Sequence, residues 1–340
     1  MSASRTTTLN AHFTSLGHNL RPILTSLNGD NSWLISFPLP VKERKATNRA
    51  YYHAVLDPWL VGPSVTLSSW LVSLSLTTQS VANDGNGIEA LARDIEDEAA
   101  TAGLIVNQPR GTSSYLDAIF IGFHYTDHMH KPTLCTFDKT IPVFAVSEAA
   151  GTIRTWDHFR TVIVTHDLDS ANGNWHEFHP GAPLPNWLNI FRIIGHHELN
   201  FADIIVWSSD EGTNEAILYS PHGIRIDQPS FQTYLHKANP PVSTVAMLHA
   251  LKDSFALGAR TTLGVAGGLA LEAELKPAYW IKTHDSTLLY NGLFSLVIRD
   301  VFRSMESGIE ELQRKSDKAP EDLKKPNLIE IESGECFVLS

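Results

Sequence analysis

The chain has 340 residues, 43% hydrophobic and 19% charged, with 26 Lys+Arg against 37 Asp+Glu and a formal net charge of -11. The apolar share excludes a disordered chain, and the acidic balance argues against a nucleic-acid or anionic-membrane surface. Its two cysteines, Cys135 and Cys336, exclude a disulfide scaffold and a thiolate zinc site, which leaves 16 histidines as the unexplained surplus.

Residues 1–20 lack the unbroken apolar core of a signal peptide. No segment approaches the roughly 20 apolar residues that span a bilayer. A soluble cytoplasmic protein is therefore expected, with residues 1–24 as an arm, 25–315 as one domain and 316–340 as a tail. Residues 32–37, after the turn Leu27-Asn28-Gly29-Asp30, and residues 51–56, before Asp57-Pro58, read as strands bounded by turn signals. Ile88, Leu91, Ala92, Ile95 and Ala99 then recur at helical spacing, and Gly103 stands where a C-terminal cap belongs. Residues 118–122 lack polar alternation, as in a strand buried on both faces. A strand at 142–146 and a helix at 147–155 continue the rhythm, followed by strands at 161–165, 189–194, 202–207 and 216–219. Residues 172–186, rich in Gly, Pro and aromatics, read as a rim or lid loop. Residues 242–274 form the longest stretch able to be helical, 278–281 a late strand, and 291–315 a terminal helix. No internal repeat is visible, so one α/β domain is expected rather than two.

The most informative line is residues 117–134, DAIFIGFHYTDHMHKPTL. A buried strand ends at Gly122, and His124, Asp127, His128 and His130 follow within a short loop, where rigid scaffolds present functional side chains. Imidazole with carboxylate is the usual ligand set of zinc or another first-row divalent ion. The same residues could instead cap the helix that starts near Lys131-Pro132, with Thr126 or Asp127 as N-cap. No G-x-S-x-G elbow or P-loop pattern is present, which leaves a serine hydrolase and a nucleotide site without support.

Asp57-Pro58 after a strand, the Thr126-Asp127-His128-Met129-His130 turn, Ser220-Pro221-His222-Gly223 and the late Thr283-His284-Asp285 together resemble the metallo-β-lactamase superfamily. More narrowly they resemble its lactonase-like branch and fungal members with an altered metal motif. The likeness covers about residues 25–300. It implies an αββα sandwich, α/β in class, of two mixed β-sheets flanked by helices. The superfamily motif H-x-H-x-D-H binds one ion through its first two His and a second through the Asp-His pair. Aligned on Asp127-His128, the first two His positions hold Phe123 and Tyr125, with His124 out of register by one. The bridging Asp position holds His222, the final His is His284, and the middle His falls on His196 or His197. The resemblance thus implies one divalent ion, zinc first with manganese or iron as alternatives, drawn from Asp127, His128, His222, His284, His196, His197 and His124. Asp127 would orient the attacking water, and Tyr125, His130, His166 and Trp175 would face the substrate.

The function expected is metal-dependent hydrolysis of a small organic substrate carrying a lactone, ester or amide bond. A non-hydrolytic biosynthetic enzyme (isomerase, cyclase or lyase) and a degenerate, non-catalytic binding protein are the rival readings. The partners expected are a small-molecule substrate and a second copy of the chain in a homo-oligomer, with neither nucleic acid nor membrane.

Overall fold

A run of apolar residues without alternation needs cover on both faces, and each of two seven-stranded sheets is centred on such runs. The computed structural model describes residues 2–15, 19–66, 68–106, 114–315 and 325–340. By its contacts the chain divides into two units, one of residues 1–66, 74–164 and 331–340, the other of residues 67–73 and 165–330. The mixed α/β class is the one expected.

In the first unit the strand order is Cys336–Val338, Ile23–Ser26, Trp33–Pro38, Tyr51–Leu56, Leu116–Ile121, Val143–Ala145 and Val162–Val164. The first four strands are antiparallel neighbours; from Tyr51–Leu56 onward the neighbours are parallel. The helix Gly85–Thr101 starts where the Asp84 side chain accepts the Gly87 N–H, and it buries Ile88, Leu91, Ala92, Ile95 and Ala99. Full burial of each large aliphatic side chain on that face contributes about 1.5–3 kcal/mol. On the same helix Glu96 accepts the N–H groups of Ala50 and Tyr51 at 2.7 and 2.8 Å, which keys the helix to the strand that leads into the site. The ends of the chain belong to this unit. The expected arm contains the helix Ala3–Ser15, with Leu9 and Phe13 buried, and the expected tail supplies the edge strand Cys336–Val338. Residues 316–324 lie outside the described residues.

The second unit repeats the plan without repeating the sequence. Its order is Leu328–Ile329, Tyr279–Lys282, Ser243–His249, Asn214–Ser220, Phe201–Ser208, Leu188–Ile194 and His166–Asp167. Leu188–Ile194, Phe201–Ser208 and Asn214–Ser220 form an antiparallel meander; Ser243–His249 and Tyr279–Lys282 then add in parallel. In both units, side chains that follow the C-terminal ends of the parallel strands therefore emerge along one border of the sheet.

Two helical expectations are corrected. Residues 242–274 contain the strand Ser243–His249, a hairpin of Asp253–Ala256 and Ala259–Leu263, and only then the helix Gly264–Leu275. Ser243–His249 is buried along nearly its whole length, so its apolar run carries no period that separates strand from helix. Leu257 and Gly258, at φ 51 and 83, make the two-residue turn of the hairpin. Residues 291–315 likewise begin with the strand end Leu288–Asn291, a 3-10 turn at Leu293–Leu296 and the strand Ile298–Val301, leaving Met305–Lys315 as the helix. Gly292, at φ 92, breaks the helical path there. Among the described residues no helix is long and apolar enough to cross a membrane.

Candidate metal centre

In the first unit the site is built on Asp57. This residue ends the strand Tyr51–Leu56 at φ 45, and its N–H donates to the Phe120 carbonyl at 3.0 Å. One carboxylate oxygen accepts the Gly122 N–H at 2.8 Å, while the other lies 2.6 Å from Nδ1 of His128. A single buried carboxylate thus ties the ends of two parallel strands to the following loop. The loop is held from below by Asn31, whose side-chain amide donates to the Asp127 carbonyl at 2.9 Å, and from the side by a 2.7 Å bond between Thr126 and Ser64.

With Nδ1 of His128 held on Asp57, Nε2 is the nitrogen that could take a ligand, an arrangement common to metal-bound imidazoles. That Nε2 stands 3.7 Å from Oδ2 of Asp127. Burial alone would lower the His128 pKa; the charges of Asp127, Asp57 and Asp30 outweigh it and raise the imidazole to about 9. The field that retains a proton there would equally favour a cation. Phe123 is buried and meets His128 edge-on, with ring centroids 5.5 Å apart at 87°.

In the second unit two imidazoles meet. His222 and His284 are buried, with ring centroids 4.7 Å apart in an edge-to-face arrangement. His222 follows the strand Asn214–Ser220. Its Nδ1 is 3.1 Å from the Thr262 hydroxyl, and its carbonyl accepts the Leu263 N–H at 2.8 Å. Asn200 reaches across to donate to the Gly223 carbonyl at 3.0 Å. Gly223, at φ 82, has to be glycine, because a Cβ would lie 2.8 Å from both His249 Nε2 and Leu263 Cβ. His284 sits in the left-handed region at φ 56, one residue before Asp285, whose carboxylate accepts the N–H groups of Leu251 and Lys252, each at 2.7 Å. Those two bonds fix the His284 loop to the end of the neighbouring strand.

Several candidates are placed elsewhere. His130 caps a short helix, with Nδ1 2.9 Å from the Thr133 hydroxyl and Nε2 3.3 Å from the Pro63 carbonyl, so both nitrogens are engaged in structure. Trp175 is buried in a 3-10 turn, where its indole N–H donates to the Pro240 carbonyl at 2.7 Å, which anchors that part of residues 172–186. His166 is exposed on an edge strand, beside the 2.7 Å ion pair of Asp167 and Arg192. His196 and His197 are both exposed, and neither lies with His222 and His284 in a set of facing ligand atoms among the described residues. His124 and Tyr125 are half-buried and stack on Phe123, with centroids 4.7 and 4.6 Å away.

Sequence reading overlooked Asp57 as the partner of His128, and Thr262, Asn200 and Asp285 as the groups that hold the second pair. Asp57-Pro58 was the available signal for the first. Nothing local marks the other three, which act through contacts made only in the fold.

No family model matches the chain, and no curated protein does. Among solved structures the chain is similar to a possible metal-dependent hydrolase from Veillonella parvula DSM 2008, with 10% identity, TM-score 0.51, and 94% of this chain and 100% of that one covered. It is similar to the same degree, TM-score 0.51, to an isothiocyanate hydrolase from Delia radicum gut bacteria, at 14% identity over 94% of this chain and 99% of the other. A metallo-beta-lactamase fold protein, YhfI from Bacillus subtilis, aligns at TM-score 0.47 and 11% identity, over 93% and 99% of the two chains. The two likenesses at TM-score 0.51 are likenesses of fold, and the α/β class with two mixed sheets flanked by helices is the one that the resemblance implied.

Proposed function

We propose that the chain is a hydrolase with a mononuclear divalent metal site whose ligands are drawn from His128, His222 and His284, with Asp127 beside His128. The observation that carries this reading is the buried His128, His222 and His284 set, with the Asp57 carboxylate 2.6 Å from Nδ1 of His128 orienting that ring so that Nε2 is the nitrogen left to take a ligand. The donor set is chemically suited to zinc, manganese or iron, being imidazole nitrogen and carboxylate oxygen with no thiolate.

An ion held there would supply Lewis acidity toward a carbonyl oxygen and acidify water. The residues do the rest. Asp127 would orient the attacking water. In the aligned motif Phe123 and Tyr125 fall at the positions of the first-ion histidines, and neither supplies an imidazole there, which supports one ion rather than two. The lactonase-like resemblance supports a lactone, ester or amide as substrate, and the acidic net charge favours a neutral molecule over a polyphosphate.

Metal analysis of chain purified without added ions tests the site. About one equivalent of zinc, manganese or iron is expected, falling below a tenth in His128→Ala and in His284→Ala. Less than a few tenths in the parent chain would sink the reading. Turnover of a panel of lactones, esters and amides tests the reaction, with loss in Asp127→Asn at unchanged fold.

The altered ligand set favours one second reading, a metal-supported isomerase, cyclase or lyase. Reaction in oxygen-18 water separates the two, since hydrolysis places solvent oxygen in the product and isomerisation does not.

A further inference from the structure

The second unit carries an apolar surface that its own fold leaves uncovered. Trp70 is 67% exposed and Leu296 82%; Leu257, Leu289, Leu293 and Phe302 are each more than half exposed. Backbone bonds bring Trp70, Leu257, Leu293 and Leu296 together. The N–H groups of Leu293 and Phe294 donate to the carbonyls of Trp70 and Leu71, both at 2.9 Å, and the Leu257 N–H donates to the Val297 carbonyl at 3.1 Å. Gly292 permits this approach, because a Cβ there would lie 2.6 Å from the Leu71 carbonyl oxygen. Leu293 and Leu296 are three apart in a 3-10 turn and so project on the same side.

We propose that this surface binds a second copy of the chain as a two-fold dimer. Exposed area is the first argument. The exposed parts of Trp70, Leu257, Leu293 and Leu296 amount to roughly 600 Å², at the upper end of the ~300–600 Å² of the largest patch on an ordinary monomer and a large share of the ~800 Å² that one partner brings to a standard interface. Charge is the second. Residues 286–298 and 68–73 contain no Asp, Glu, Lys or Arg in a chain of net charge -11. Two copies repel over most of their surface and are free of that repulsion here, and interface centres are depleted of charge in the same way. The Arg299 guanidinium at the border lies 5.0 Å over the Phe255 ring rather than projecting across the surface. A closed two-fold contact uses one patch on both copies, so the surface needs no complement elsewhere on the molecule. An anionic lipid surface is disfavoured by the same net charge.

Sedimentation velocity of the full chain across micromolar concentrations reads the proposal. A dimer is expected for the parent chain. The double substitution Leu293→Glu, Leu296→Glu is expected to weaken association at least about thirtyfold, as loss of a hot spot does, with unchanged circular dichroism. Leu296→Cys, at a position too exposed to matter for folding, is expected to give a covalent dimer with a short bis-maleimide, where the parent chain with Cys135 and Cys336 gives none. A monomer at every concentration, a dimer indifferent to the double substitution, or a dimer that Leu296→Cys fails to cross-link would overturn the proposal. So would a monomer that binds neutral phosphatidylcholine vesicles through these leucines.

Discussion

The carboxylate of Asp57 lies 2.6 Å from Nδ1 of His128 across a sequence separation of 71 residues, and both side chains are fully buried. Burial of such a pair is costly unless every polar atom is engaged, and Asp57 meets that condition by also accepting the Gly122 N–H at 2.8 Å. The pair therefore does two things. It closes the ends of two parallel strands, and it decides which nitrogen of His128 faces Asp127.

Asp57→Asn separates these roles. The amide keeps an oxygen for the Gly122 N–H and tolerates the left-handed backbone. Its other atom is then an N–H donor facing Nδ1, which favours the tautomer of His128 that carries the proton on Nε2. Zinc affinity, measured by competition with a chromophoric chelator, is expected to fall about 10- to 100-fold while the far-ultraviolet spectrum is retained. An unchanged affinity would mean that His128 is not a ligand.

Phe123 and Tyr125 make a stoichiometry prediction. Phe123 packs edge-on against His128 with centroids 5.5 Å apart, and the resemblance puts a histidine of the intact motif at its position. The double substitution Phe123→His, Tyr125→His is expected to raise zinc content from one to two equivalents per chain. Without metal it is expected to cost about 2–3 kcal/mol, because an imidazole replaces a buried phenyl ring. Calorimetric titration gives the first number and denaturation in chelator the second.

How much of this was legible follows from the range of each interaction. Asp127, His128, His222 and His284 stand in short motifs whose order along the chain can be read, so the half-sites were visible one at a time. Asp57 was visible as a strand end, but not as the partner of His128, because the connection between the parallel strands contains the helix Gly85–Thr101 and two short strands, and nothing local marks the pairing. Trp175 looked like a lid residue because exposed and buried tryptophans look alike in a loop rich in Gly and Pro; its bond to the Pro240 carbonyl exists only in the fold. Ser243–His249 was misread as helix for a related reason, since a strand covered on both sides has no period. The shared plan of the two units is a property of strand order, not of residues, and leaves no repeat to detect.

Acid stability depends on His249. It is fully buried, and burial pulls its pKa down to about 4, against the 2.6 Å bond from Nδ1 to the Ala250 carbonyl and with help from the Arg260 charge. The unfolded chain takes up this proton near pH 6.5, the folded chain only near 4. The resulting stability is complete above about pH 6.5 and is lost as pH falls toward 4, a total of about 3 kcal/mol. His12, lowered to about 4 by burial and by Arg21, adds to the same limb. His128 behaves oppositely in metal-free protein. Its pKa is raised to about 9, so its contribution is complete below about pH 6.5 and is lost as pH rises through 9. Urea denaturation at a series of pH values in chelator should show both limbs, with His249→Gln flattening the acid one alone.

Gly268 sets two known effects against each other. In the helix Gly264–Leu275, replacement by Ala improves helix propensity by about 1 kcal/mol. A Cβ at this position, however, would lie 2.2 Å from two ring atoms of Trp280 and 3.0 Å from Nδ1 of His249. Trp280 is buried and donates its indole N–H to the His249 carbonyl at 3.0 Å, so it cannot step aside without losing that bond. Overpacking of this kind costs about 1–3 kcal/mol and the lost bond about 1 more, so the clash wins. Gly268→Ala is expected to lower stability by about 1–3 kcal/mol in chemical denaturation. Gly151→Ala is the control, because Gly151 lies in the helix Ser147–Arg154 with nothing within 4 Å of its would-be Cβ. There propensity acts alone, and a gain of up to about 1 kcal/mol is expected. Equal effects at the two glycines would show that the helix does not press on Trp280.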